Sequence, residues 1–108
     1  MALEFHILTG NGDNFKDYSK EVVAFEESEY VYLINLASSC QVSIFSSMQN
    51  YYGEYKFLPV EVGHLIEEIS TITSHISNNG SLKIKLDKLS QLCSLAKLKN
   101  LPIITFPD

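Results

Sequence analysis

Both ends of the chain show the alternation of apolar and polar residues that is typical of a β-strand. Positions 3, 5 and 7 are apolar and the residues between them are polar, so residues 3–9 are predicted to form a strand. The apolar run 102–106 precedes Pro107 and is predicted to form a second short strand. Two such strands are best buried by pairing with each other against the helices, in a direction that the sequence leaves open.

The segment that follows Ser28 has apolar residues at spacings of three and four, the period of an amphipathic helix. We predict two helices here, about 29–39 and 42–51, because the serine pair at positions 38 and 39 favours a break. Residues 15–28 fit either a helix or a strand, and within them we predict a weak helix over 16–25.

Two further helices are predicted in the second half of the chain. One begins at Pro59, which suits a first helical turn, and places its apolar face toward the core as far as Ile76. The other begins near Ser81 and ends near Asn100. The predicted fold is therefore α+β and predominantly helical, with four to five helices packed with short N- and C-terminal strands. The length of 108 residues suits one domain, 1–108.

Charge is divided unevenly along the chain. The net charge is −5. Residues 1–72 carry eleven acidic residues and three lysines, a net charge of −8, whereas residues 73–108 have a net charge of +3. All eight basic residues are lysine, and the absence of arginine together with the acidic balance argues against nucleic acid as a partner. The acidic part would attract a basic protein, although an acidic surface also serves solubility alone.

Targeting signals are not evident in the sequence. No apolar run approaches the roughly 18 residues needed to span a bilayer, so we expect no membrane partner. The first residues lack the basic region and apolar run of a secretory signal, and a cytoplasmic location is expected by default.

The residues that could carry chemistry do not form a recognised catalytic or metal-binding pattern. Cys40 and Cys93 are expected to be small buried residues on helices rather than nucleophiles or a disulfide. His64 and Glu68 are spaced as possible co-ligands, but a metal site needs three or four ligands, so a solvated pair on the polar helix face is expected. We therefore predict no enzyme, no metal and no cofactor.

Acidic and aromatic residues are the better candidates for binding. Tyrosines provide large, rigid contact area at protein interfaces, and the stretch 51–55 combines three of them with a glycine and an acid in a predicted exposed loop. The alternative is that these tyrosines are half-buried packing residues. The residues predicted to contact a partner are Glu26, Glu27, Glu29, Tyr52 and Glu54.

Three stretches of the sequence resemble small bacterial immunity-type proteins, which accompany secreted or contact-dependent growth-inhibition toxins. They are residues 29–37, residues 55–59 leading into 65–69, and residues 89–106. The resemblance covers about two-thirds of the chain, and it rests on helix-packing patterns. It implies a cytoplasmic protein that binds and blocks one toxin domain, often a nuclease, and it assigns no individual functional residue.

Three functions remain open at this stage. The favoured one is an inhibitor that binds a basic protein, such as a toxin domain. The alternative is a scaffold or regulatory subunit without catalytic activity that self-associates into a homo-oligomer through an apolar helix face. The third is a small enzyme with a cysteine and a histidine brought together by the fold.

Overall fold

The computed structural model describes residues 2–10, 17–48, 53–76 and 79–107. Within them, strands and helices follow in the order β1 (Ala2–Leu8), β2 (Tyr18–Glu26), α1 (Glu27–Ser39), α2 (Ser43–Ser46), β3 (Tyr55–Phe57), α3 (Pro59–Ser74), α4 (Gly80–Leu98) and β4 (Ile103–Pro107). The four strands form one antiparallel sheet in the order β2-β1-β4-β3.

The terminal strands lie at the centre of this sheet. β1 pairs with β4 from Leu3 opposite Pro107 to Ile7 opposite Ile103, so the predicted pairing is confirmed and its direction is antiparallel. Pairing the two ends of the chain buries both, because β2 and β3 then flank them on either side.

The prediction of a predominantly helical fold with only short terminal strands is wrong. Strands make up 26% of the described residues and form a four-stranded sheet. The weak helix predicted over 16–25 is wrong for residues 18–25, which belong to β2, because pairing with β1 overrides the local helix propensity; residue 16 lies outside the described residues. The strand β3 was missed because three residues are too few to show a period.

The helices pack against one face of the sheet. Phe5, Phe25, Phe57 and Ile103 point to this face and join a single cluster of buried apolar side chains that includes residues from all four described helices. The alternate residues of each strand point to the opposite, outer face.

The helix boundaries follow from identifiable caps. Helix α3 begins at Pro59 as predicted, and the backbone N–H of Leu58 donates to Glu61 Oε1 at 3.0 Å. Helix α4 begins at Gly80, where the Asn79 side chain accepts from the N–H of Leu82 at 3.1 Å, and Asn100 after it adopts a φ of 56°. No helix formed by the described residues is long and apolar enough to cross a membrane.

The second helix predicted after the serine pair is much shorter than expected. Helix α1 ends at Ser39, close to the prediction, and Gln41 follows with a φ of 60°. Helix α2 then covers Ser43–Ser46 rather than 42–51, and residues 49–51 lie outside the described part of the chain. The backbone of Met48 has left the helix, and its carbonyl accepts a hydrogen bond from the buried Tyr30 hydroxyl.

Candidate functional site

The register of the sheet brings acidic residues from three strands to one end. Glu26 ends β2 and lies opposite Ala2 at the start of β1, and Glu27 follows it as the first residue of α1. Glu54 immediately precedes Tyr55, whose partner is Thr105 near the end of β4. Because β1 and β3 begin where β2 and β4 end, these carboxylates share one edge of the molecule.

Glu4 lies at the same end and was not among the predicted contact residues. It is paired with Ala24 on one side and Phe106 on the other, level with the position of Glu54 in the register. Adjacent strands are about 4.8 Å apart, so Glu4 and Glu54 are about two strand spacings, ~10 Å, from each other. We call Glu4, Glu26, Glu27 and Glu54 the acidic end of the sheet.

The carboxylates of the acidic end differ in how firmly they are held. Glu26, Glu27 and Glu54 are exposed to solvent. The carboxylate of Glu4 is only 24% exposed and lies 2.8 Å from His6 Nε2. Three exposed acidic residues and one whose carboxylate lies beside a histidine therefore share this end of the sheet.

An aromatic cluster on the outer face of the sheet adjoins the acidic end. The His6 ring stacks on Phe106 with 4.8 Å between ring centroids, and Tyr18 packs edge-on against both rings. The second ring nitrogen of His6, Nδ1, lies 3.2 Å from the carbonyl oxygen of Ser19. With an oxygen at each nitrogen the ring is fixed in orientation, and it presents a half-buried aromatic surface beside the carboxylates.

Glu29, which was predicted to contact a partner, is instead bound within the molecule. It accepts hydrogen bonds from Lys85 Nζ at 2.6 Å and from the backbone N–H of Glu26 at 2.9 Å. Burial on its own would raise the pKa of Glu29, but the Lys85 hydrogen bond, the Glu26 N–H and the Lys85 charge together lower it. This carboxylate joins α1 to α4 and is not directed to solvent with its neighbours.

The predicted tyrosines divide between the core and the undescribed part of the chain. Tyr52 lies outside the described residues. Tyr55 is half-buried in β3, and Tyr30 is buried beneath it. Burial, and then the nearby Tyr55 hydroxyl, raise the pKa of Tyr30, so this phenol stays neutral across the physiological range. The alternative of half-buried packing therefore describes Tyr55 better than an exposed contact residue.

Glu68 was expected on the polar face of its helix, and this expectation is wrong. Its carboxylate is buried and accepts the backbone N–H groups of Ile44 at 2.9 Å and Phe45 at 3.0 Å. The first N–H groups of a helix have no partner within the helix, so Glu68 satisfies two of them at the start of α2. His64 instead lies 4.0 Å from Glu67, with both side chains exposed.

The two cysteines differ in burial. Cys93 is fully buried in α4, and burial raises the pKa of its thiol to about 12, which keeps it protonated at neutral pH. Cys40 follows α1, is half-buried, and like Cys93 is a free thiol. No group of three or more histidine, cysteine or acidic side chains placed to hold a metal ion occurs among residues 2–10, 17–48, 53–76 and 79–107.

Comparison with known proteins leaves the function to be argued from this chain alone. No family model, no curated protein and no solved structure matches it. The resemblance to immunity-type proteins therefore stays a prediction.

Proposed function

We propose that this chain is a protein-binding inhibitor that captures a basic partner through the acidic end of its sheet, in the manner of an immunity protein that neutralises a toxin. The observation that carries the proposal is the convergence of Glu4, Glu26, Glu27 and Glu54 at one end, although they come from distant parts of the sequence. Carboxylates that converge in this way attract a cationic surface more strongly than the same charges spread over the molecule.

The surroundings of the acidic end suit a protein partner. Interfaces combine charged residues at the rim with aromatic contact area, and the cluster of His6, Tyr18 and Phe106 supplies such area beside the carboxylates. Charge complementarity of this kind acts chiefly on the association rate, which then falls as salt is added. An inhibitor that must reach a cationic active-site cleft before the substrate does would benefit from fast association.

The experiment compares three proteins of defined charge. The first is the unchanged chain, and the second carries Glu26→Gln, Glu27→Gln and Glu54→Gln. The third carries Glu21→Gln, Glu67→Gln and Asp87→Asn, which remove the same total charge from exposed positions away from the acidic end. Each is immobilised, exposed to extract of the native cells at low salt, and eluted with rising salt for mass spectrometry.

The expected result is a basic protein that elutes from the unchanged chain and from the third protein but is lost from the second. The association rate of the purified partner should fall at least tenfold in the second protein at low salt. If the second and third proteins retained the basic partner equally, binding would depend on the net charge of the chain and not on the acidic end, and the proposal would be wrong.

A further inference from the structure

A groove runs along the outer edge of β2, between this strand and α4. Its volume is about 370 Å³. The groove is lined on the strand side by residues 21–23 and on the helix side by Lys88, Gln91, Leu92 and Leu95. It lies on the side of the molecule opposite β3 and is separate from the acidic end at the start of β1.

The strand wall of the groove offers backbone groups for pairing. Leu8 donates its N–H to Pro102, toward β4, whereas Ile7 and Thr9 donate theirs toward β2 and the connection before it. The backbone groups of odd-numbered residues in β1 therefore form hydrogen bonds with β2. In the regular register their partners are the odd-numbered residues of β2, whose backbone groups face β1. The N–H and C=O groups of the even residues, Val22 and Ala24, then point outward along the edge.

The side chains at this edge combine two exposed charged residues, Lys20 and Glu21, with exposed apolar ones. Val22 is 45% exposed on the outer face at the middle of the strand. Ile84 of α4 is 59% exposed, and it lies on the same side of the helix as Lys88 and Leu95, which follow it by four and eleven residues. Apolar side chains exposed beside a strand edge that pairs with no other described strand favour a partner that itself supplies a strand.

We propose that this groove is a twofold interface between two copies of the chain, in which the β2 strands pair antiparallel about Val22 and the α4 helices pack side by side about Gln91 and Leu92. The result is a continuous eight-stranded sheet with both helix layers on one face. In this register Tyr18 of one copy lies opposite Glu26 of the other, so the interface reaches the acidic end at the last residue of β2. The inference does not rest on the proposed function, because Val22→Lys tests dimerisation without changing any carboxylate of the acidic end.

The groove lining offers a central position on each wall about which two copies can pair. In a twofold contact the same patch meets itself, so each lining residue of one copy meets a lining residue of the other. On the strand wall, Glu21 and Val23 flank Val22. On the helix wall, Lys88 and Leu95 each lie three residues from the central pair of Gln91 and Leu92. Both centres lie within one groove, so a single axis can pass beside both.

The strand register follows from which side chains would meet. Pairing centred on Glu21 would place two carboxylates directly opposite each other, which is unfavourable. Pairing centred on Val22 places two valines opposite each other and moves Glu21 of one copy beside Val23 of the other. Since Val23 and Lys88 line the same groove, Glu21 of each copy then lies at the groove that holds Lys88 of its neighbour. This register satisfies charge and apolar contact together.

The helix layer fits the same axis. Helix α4 contacts both β2 and β1, so it lies above the space between them. Strands are about 4.8 Å apart, so α4 lies about half a strand spacing inside β2. The twofold axis of the proposed dimer lies half a strand spacing outside β2, and the distance from α4 to this axis is therefore about 5 Å. Two α4 helices would then be ~10 Å apart, which is the usual separation of packed helices.

The first test is the oligomeric state. Sedimentation equilibrium across about 1 µM to about 1 mM should detect a dimer of the unchanged chain. Val22→Lys places two like charges on the axis and should weaken dimerisation at least tenfold. The matched control is Val60→Lys, which changes a valine that is 71% exposed on α3 and should leave the dimer unchanged.

The second test is the register. In a hydrogen-bonded antiparallel pair the Cα atoms are about 5.5 Å apart, which lies within the range that a disulfide spans. Val22→Cys should therefore give a disulfide-linked dimer on mild oxidation faster than Glu21→Cys or Val60→Cys. A chain that stays monomeric at every concentration, including one whose β2 takes up a strand of another protein instead, overturns the proposal. A dimer that Val22→Lys leaves intact, or faster cross-linking through Glu21→Cys, also overturns it.

Discussion

The two edges of the sheet are finished in different ways. At one edge, β3 is three residues long, and the N–H of Tyr55 is bonded to the Thr105 hydroxyl at 3.0 Å. At the other edge, β2 is nine residues long and borders an open groove. Proteins protect edge strands by shortening them or by placing lysines on them. Both edge strands carry an exposed lysine, Lys56 on β3 and Lys20 on β2, but only β3 is short. One edge is therefore short and joined to its neighbour by a buried side chain (the closed side), while the other is long and borders the groove at which we propose that a second copy pairs (the open side).

The same contrast extends to the contacts that hold the helices. On the β3 side, α3 contacts both β3 and α2, and the buried Glu68 joins α3 to α2. On the β2 side, α1 is joined to α4 by the partly exposed pair of Glu29 and Lys85. We expect changes on the closed side to lower the stability of the fold, and changes on the open side to alter association and the response to pH.

Glu68→Ala should have the largest effect on folding. It leaves two buried backbone N–H groups of α2 without their acceptor, at a cost of about 1–3 kcal/mol each. We expect the free energy of unfolding, measured by urea titration, to fall by about 3 kcal/mol. Glu67→Ala, at the exposed neighbouring position, should change it by less than about 0.5 kcal/mol. Equal losses in the two variants would mean that Glu68 does not hold α2.

The sequence revealed those elements whose period or punctuation is local. Apolar and polar residues alternate within the N-terminal central strand, β1, and Pro59 indicates the start of α3; both signals can be read from the local sequence alone. β2 was missed because its residues 20–22 are all exposed at the edge of the sheet, so apolar and polar residues do not alternate there. Such an edge can be recognised only once the strand order is known.

The candidate site was predictable to a similar degree. Glu26 and Glu27 are neighbours in sequence, whereas only the sheet register brings Glu4 and Glu54 beside them. Glu68 did carry a signal that was overlooked. It lies about 40° around the helix from Ile72, next to the apolar stripe, where an acid needs an internal partner. That the partner would be the start of α2 could not be predicted, because α2 has only four residues.

Thr105→Val tests the closure of the β3 edge by a smaller change. Thr105 is fully buried, and the substitution removes the acceptor of the Tyr55 N–H while keeping the side-chain shape. We expect the free energy of unfolding to fall by about 1–2 kcal/mol. The Tyr55 amide should also exchange its hydrogen faster than in a Thr71→Val control, whose hydroxyl bonds within an exposed helix turn. Unchanged exchange at Tyr55 would show that other contacts close this edge.

The smallest effect is expected for the pair on the open side, and it should depend on pH. The pKa of Glu29 is lowered in the folded chain, so its ionised form contributes stability above the ordinary value of 4.5, and this contribution is lost as the pH falls through the lowered pKa. Glu29→Gln should therefore cost about 1 kcal/mol or less at pH 7 and nothing at strongly acidic pH, as measured by urea titration at each pH.

Added salt should reduce the same difference between Glu29→Gln and the unchanged chain, because an ion pair that is partly exposed is screened. The Glu68→Ala loss should persist in salt, since it arises from buried backbone groups that have lost their acceptor. If both losses responded to salt alike, the two sides of the molecule would be held by the same kind of contact, and the distinction between a closed and an open side would fail.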